Sequence, residues 1–96
     1  MIKHLEKEED FEKEINEEVV VDFYADWCGP CKMIGSILEE IDAFNVLKIN
    51  VDEFPDIARK FGIMSIPTLI KFKGGEEIKK VVGLRTKEQL EEDFKD

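Results

Sequence analysis

Cysteine is scarce in this chain: there are two among 96 residues, at positions 28 and 31. Histidine is scarcer still, with His4 alone. A zinc site built on the cysteine pair needs two further ligands, and the chain holds no third cysteine and no second histidine to complete it. No apolar run approaches the ~20 residues a membrane helix requires. Basic residues are outnumbered, 14 against 23 acidic ones, for a net charge of −9. That balance disfavours nucleic acid and anionic membranes as partners and makes for a solvated surface. The N-terminus, Met1-Ile2-Lys3-His4-Leu5-Glu6, lacks an apolar segment and turns acidic at once, so no export signal is expected. A cytoplasmic, reducing setting follows as an expectation. There, paired cysteines serve catalysis or metal binding rather than structure. No repeat, linker or low-complexity stretch divides the chain. Residues 1–96 are read as one domain, long enough to bury a core without covalent help.

The apolar pattern lays out the elements. Residues 2–5 predict a short strand, and Phe11 and Ile15, four apart among charges, an amphipathic helix over 8–16. Val19-Val20-Val21-Asp22-Phe23-Tyr24 is β-branched and aromatic, as buried strands are. A helix is expected from about Cys31, with Ile34, Ile37, Leu38 and Ile41 on one face. Val46 to Val51 reads as a second central strand. Pro55 suits a first helical turn that Ile57, Ala58 and Phe61 continue and Gly62 closes. Thr68 to Lys73 is a third strand, Gly74-Gly75 a hairpin turn and Ile78 to Val82 the return. Thr86 and Gln89 have capping-box spacing, which starts a last helix with Leu90 and Phe94 inward. The order β-α-β-α-β-α-β-β-α predicts parallel neighbours from the βαβ units and antiparallel strands from the hairpin, in a mixed sheet between helix layers.

The most informative stretch is Trp27-Cys28-Gly29-Pro30-Cys31, between a strand and a helix. Spacing i, i+3 at a helix start puts both thiols on one face with Cα atoms roughly 5 Å apart, within the ~4.4–6.8 Å a disulfide spans. Such a bridge is a weak staple. Closing a ring of about four residues is worth roughly 2 kcal/mol in the loop-entropy picture, against ~3 for fifteen. A bond easily made that holds little together suits redox chemistry. Unpaired N–H groups at the helix start attract negative charge, which places Cys28 to react as a thiolate. Cys28 is therefore the expected nucleophile, attacking a target disulfide. The more shielded Cys31 then attacks the mixed disulfide and releases the reduced target.

Four segments together carry a resemblance: Val21 to Ile34 around the cysteines, Lys48-Ile49-Asn50-Val51-Asp52, Phe61-Gly62-Ile63-Met64-Ser65-Ile66-Pro67-Thr68, and Val82-Gly83. A bare CxxC says little. WCGPC with Asp22 six residues before its first cysteine, and Ile66-Pro67-Thr68 beginning thirty-five after its second, says much more. Over essentially its whole length the chain resembles the thioredoxins. The resemblance implies the α/β thioredoxin fold, a central mixed five-stranded sheet flanked by four helices. It also implies a monomer without bound cofactor that reduces disulfide-containing target proteins and takes electrons from a thioredoxin reductase.

The resemblance also implies roles for single residues. Asp22 interrupts an apolar strand; by position alone it is as open to a solvent-facing strand end as to burial, while the resemblance makes it the group that exchanges a proton with Cys31. Lys48 interrupts its own strand and, by resemblance, lies near Asp22 and tunes its titration. Gly29 and Pro30 set the redox poise, and the absence of a histidine between the cysteines favours a reductant. Pro67 follows Ile66 at a strand start, where sequence alone favours a trans bond; the resemblance implies cis, facing the cysteines, with the Ile66 backbone pairing to an extended substrate. Trp27, Val51, Ser65, Ile66, Val82 and Gly83 match positions that ring the cysteines in relatives, although each alone could be packing. Met64 is open to a soft substrate contact or to core filling.

Two positions depart from the family pattern. Gly35-Ser36 stands where relatives commonly kink the helix with a proline, and Gly/Ser pairs are another source of kinks. Tyr24 replaces a frequent second tryptophan, and His4 reads as a surface residue without a role. The alternatives to a disulfide reductase are a glutaredoxin-like enzyme driven by glutathione, a thioredoxin-fold assembly subunit with incidental thiols, and a zinc protein.

Overall fold

The computed structural model describes residues 1–95. Its strands are β1 (Ile2–His4), β2 (Val19–Tyr24), β3 (Val46–Asn50), β4 (Thr68–Lys73) and β5 (Glu76–Val82). Its helices are α1 (Phe11–Asn16), α2 (Gly29–Glu39), α3 (Pro55–Lys60) and α4 (Lys87–Asp93), with a 3-10 turn over Glu8–Asp10 leading into α1. The five strands form one sheet in the order β1-β3-β2-β4-β5. β2 and β1 both run parallel to β3, while β4 runs antiparallel to β2 and to β5. This is the mixed sheet expected from the βαβ units and the terminal hairpin.

Period-two alternation along β2 sends its side chains to opposite faces. Val21 and Phe23 join Phe11 and Ile15 of α1, Ile57 of α3 and Phe72 of β4 in one apolar cluster. Val20 joins Ile34 and Leu38 of α2, Leu69 of β4 and Leu90 and Phe94 at the C-terminal end in a second. Both cores are continuous with the central strands β2 and β4, each buried along almost its whole length. Asp22 falls on the same face as Val20, so its carboxyl enters the layer roofed by α2.

Local chemistry sets the element ends. The Thr86 side chain accepts from the Gln89 N–H while the Gln89 side chain accepts from the Thr86 N–H, closing the capping box of α4. Gly74 and Gly75 carry φ of 60° and 84°, the left-handed pair a tight hairpin needs. Several boundaries differ from the periodicity reading: β1 ends at His4, β3 ends at Asn50 and β5 already begins at Glu76. The segment 8–16 begins as 3-10 and becomes α only at Phe11. α2 starts at Gly29 rather than near Cys31, because Cys28 itself is the N-cap. It ends at Glu39, so Ile41 is buried just beyond the helix. α2 runs unbroken through Gly35 and Ser36.

Candidate active site

β2 ends at Tyr24, and a four-residue connection delivers the chain to the first turn of α2. The site therefore lies beyond the carboxyl ends of β2 and β3, the usual location in open α/β sheets. Cys28 is the N-cap of α2 and has extended backbone, φ −91° and ψ 111°. Gly29 and Pro30 occupy the first two helical positions. Proline is tolerated there because its missing N–H has no intrahelical acceptor to lose.

Cys28 and Cys31 form a disulfide with Cα atoms 5.2 Å apart. The Cys31 N–H donates to Cys28 Sγ at 3.2 Å. When the bridge opens, the same donor and the helix dipole stabilise negative charge on that sulfur. Both cysteines are buried, in a small cluster with Ala25 and flanked by Tyr24, Val51 and Ile66.

The facing wall is the turn before β4. The Ile66–Pro67 peptide bond is cis, and the Ile66 carbonyl oxygen lies 3.9 Å from Cys28 Sγ. The Thr68 hydroxyl donates to the Ser65 carbonyl at 2.7 Å, which ties this turn together. The Gly83 N–H donates to the Pro67 carbonyl at 2.9 Å, and Val82 pairs with Thr68 across the sheet. Gly83 has φ +94°, so a side chain there would be strained. Val82 and Gly83 thus border the same turn as Ser65, Ile66 and Pro67. On the other flank Trp27 is 72% exposed, and its indole N–H donates to Asp52 Oδ2 at 2.9 Å. Val51, between Asp52 and β3, donates its N–H to the Tyr24 carbonyl at 2.9 Å. Met64 is 96% exposed, which removes the core-filling alternative for it.

Asp22 and Lys48 lie deeper. They are register partners across β2 and β3, with Lys48 Nζ 3.3 Å from Asp22 Oδ2. The contact has the length of an ion pair without the alignment of a hydrogen bond, and both Asp22 oxygens are buried with no hydrogen-bond partner. Burial pushes the Asp22 carboxyl above its ordinary range, and the Lys48 charge offsets part of that rise. A Cβ added to Gly35 would lie 3.1 Å from Lys48 Nζ. Gly35 is about one helical turn past Cys31, so the pair sits under the opening turns of the helix that carries the cysteines.

Val51 and Ile66 pack against the cysteines, Pro67, Val82 and Gly83 border the facing turn, and Asp22 and Lys48 form the charged pair beneath. Sequence reasoning missed Asp52, which steadies Trp27. It also missed Tyr24, whose ring face lies 4.5 Å from Lys48 Nζ. The signal for Asp52 was its place just after β3, at the sheet end where Trp27 emerges.

A dithiol–disulfide pair at a helix N-terminus, faced by a cis-proline turn and backed by a buried carboxyl, defines a thiol–disulfide oxidoreductase. The thioredoxin family model matches residues 2–96. A thioredoxin of Alicyclobacillus acidocaldarius is 53% identical over 81% of this chain and 79% of its own. One of Staphylococcus saprophyticus is 56% identical over 76% and 75%. The crystal structure of thioredoxin NaTrxh from Nicotiana alata superposes with a TM-score of 0.85 at 34% identity, over 95% of this chain and 87% of that one. The chain belongs to the thioredoxin family, and its Cys28–Cys31 pair is that of a protein-disulfide reductase.

Proposed function

We propose that this protein is a general reductant of protein disulfides in which Cys28 attacks, Cys31 resolves and Asp22 handles the proton. The observation that carries the reading is the position of Cys28 Sγ, with the Cys31 N–H on one side and the Ile66 carbonyl on the other. In the dithiol form the Cys28 thiolate attacks one sulfur of the target disulfide. A mixed disulfide forms and the other target sulfur leaves as thiolate. Cys31 then loses its proton to Asp22 and attacks Cys28 Sγ. The second target sulfur leaves and takes up a proton. The target has gained two electrons and the cysteine pair has lost two.

The ionised Asp22 is the acceptor for the Cys31 proton, and burial makes it a stronger base than an exposed carboxylate. Lys48 keeps enough positive charge beside it for the ionised form to exist. Gly29 and Pro30 shape the first turn and so the redox poise. Trp27, Val51, Ser65, Ile66, Pro67, Val82 and Gly83 form the surface that receives the target, with the Ile66 backbone pairing to an extended segment. The partners are disulfide-containing proteins and a thioredoxin reductase that restores the dithiol. The protein works as a monomeric single domain, residues 1–96, in the cytoplasm. No helix among the described residues is long and apolar enough to cross a membrane.

The test is insulin-disulfide reduction by the wild type and by Asp22→Asn across pH 6–8. The variant is expected to be slower, with an altered pH profile. Equal rates throughout would remove Asp22 from the proton transfer.

A further inference from the structure

His4 occupies a place its exposure conceals. It is the register partner of Lys48 across β1 and β3, as Asp22 is across β2 and β3. Residues in register on adjacent strands share a face, so His4, Lys48 and Asp22 form one row running from the sheet edge to the buried carboxyl. The His4 ring meets the Tyr24 ring edge-on, centroids 6.3 Å apart at 81°. That is the ring whose face carries the Lys48 ammonium. His4, Lys48 and Gly35 also line one open cleft of about 460 Å³ between α2 and the β1–β3 edge.

We infer that His4 is a positioning residue for the proton chemistry of Asp22, positive charge at its place holding the Lys48 ammonium inward against the carboxylate. The inference rests on the reading of Asp22 as the proton acceptor for Cys31. Lys48 lines that open cleft, where water can take the place of Asp22 beside its ammonium. A cation at His4 opposes that exchange by like-charge repulsion and adds its own attraction for the Asp22 carboxylate. Both effects favour ionised Asp22. With a neutral imidazole the ammonium is freer to swing out, and the carboxyl holds its proton more tightly. The Coulombic influence of His4 on Asp22 has the same sign.

The other charges around His4 are Lys48 from β3, Lys32 and Glu39 from α2 across the cleft, its chain neighbours Lys3 and Glu6, and Asp10, Lys13 and Glu14 on the side of α1. Cations and acids balance in this set. Imidazole is the only group type among them that ordinarily changes charge between about pH 5 and 8. The spacing is two strands, about 10 Å, and His4 is exposed, so solvent screens the coupling.

The experiment follows the Asp22 carboxyl by carbon NMR in the oxidised protein, comparing His4→Gln, permanently neutral, with His4→Lys, permanently charged. At low salt the Asp22 midpoint in His4→Lys is expected a few tenths of a unit below that in His4→Gln, with the gap shrinking in 0.5 M salt, where the Debye length is about 4 Å. Indistinguishable midpoints at low salt, with Asp22→Asn still slow in insulin reduction, would overturn the role of His4 and leave Asp22 in place. A clear midpoint gap with Asp22→Asn at the wild-type rate would show the coupling and remove the proton-transfer reading on which it was built.

Discussion

Lys48 Nζ stands 3.3 Å from Asp22 Oδ2, yet neither Asp22 oxygen has a hydrogen bond. A carboxylate wholly out of solvent with one imperfect partner is a destabilising element in the fold. Nothing in the core needs it, since Val20 and Leu69 beside it are apolar and fully buried. Its retention in the middle of β2 accords with a role in chemistry rather than in stability.

Replacing Asp22 should therefore stabilise the protein, in a pH-dependent way. Burial raises the folded carboxyl above the ordinary 3.8 of the unfolded chain. Between those two values the folded state binds more protons than the unfolded, so stability falls as pH rises through the window and levels off above it. Asp22→Asn removes that slope. The variant is expected to be more stable than the wild type at pH 8 by on the order of 1–3 kcal/mol, with the gap closing as pH falls to the unfolded value. The Lys48 left behind is already 14% exposed and can reach solvent. Urea unfolding of both oxidised proteins from pH 4 to pH 9 checks this, and a gap that does not vary with pH contradicts it.

Gly35 offers a second handle on the same pair. Alanine is favoured over glycine in a helix interior by about 0.8–1 kcal/mol, but a Cβ here would press on Lys48 Nζ at 3.1 Å. The obstacle is the tip of a flexible side chain beside an open cleft, so a shift of a few tenths of an ångström relieves it. Gly35→Ala is expected to gain about 0.5–1 kcal/mol in urea unfolding. The displaced ammonium compensates Asp22 less, so the Asp22 carboxyl should titrate at higher pH than in the wild type. A loss of stability would mean that Lys48 cannot yield.

What can be read in the sequence divides along the distinction between local and non-local causes. The β2 and β4 strands, the Gly74-Gly75 turn and the Thr86–Gln89 box are legible because each is dictated by neighbours along the chain. The start of α2 is harder, because periodicity shows only where apolar residues recur, and the first turn of this helix holds glycine, proline and a cysteine instead. Asp22 is conspicuous as a charge in an apolar strand. Its pairing with Lys48 depends on β3 lying next to β2, and that order came by resemblance. The Trp27–Asp52 hydrogen bond depends on the same adjacency, and the place of His4 on that of β1 and β3. Neither leaves a pattern along the chain, which is why His4 reads as an idle surface residue until the strands are assembled.

The Trp27–Asp52 bond makes a prediction about target binding. An exposed indole beside the nucleophile is held in one orientation by a single carboxylate. Asp52→Ala frees it without touching either cysteine. An exposed hydrogen bond of this kind contributes at the low end of the usual ~0.5–1.5 kcal/mol. KM for insulin should rise about threefold, with kcat within twofold of the wild type. Because Trp27 is the only tryptophan, its fluorescence anisotropy reports the gain in ring mobility directly. Unchanged anisotropy and KM would show that packing alone orients the indole.

The order of attack by the two sulfurs gives the sharpest contrast between variants. Cys28 caps α2 and faces the cis-proline turn, while Cys31 lies inside the first helical turn and donates its N–H to Cys28 Sγ. A target disulfide can be engaged from the Cys28 side, and Cys31 can then reach only the bond that Cys28 has made. Cys28→Ser should lower insulin reduction to the uncatalysed background, because no thiolate remains at the helix end. Cys31→Ser should still attack but be unable to finish. It should accumulate one mixed disulfide per molecule, visible on a non-reducing gel and discharged by dithiothreitol. If Cys28→Ser accumulated the adduct and Cys31→Ser did not, the roles of the two cysteines would be reversed, and the helix end could not be what activates the attacking sulfur.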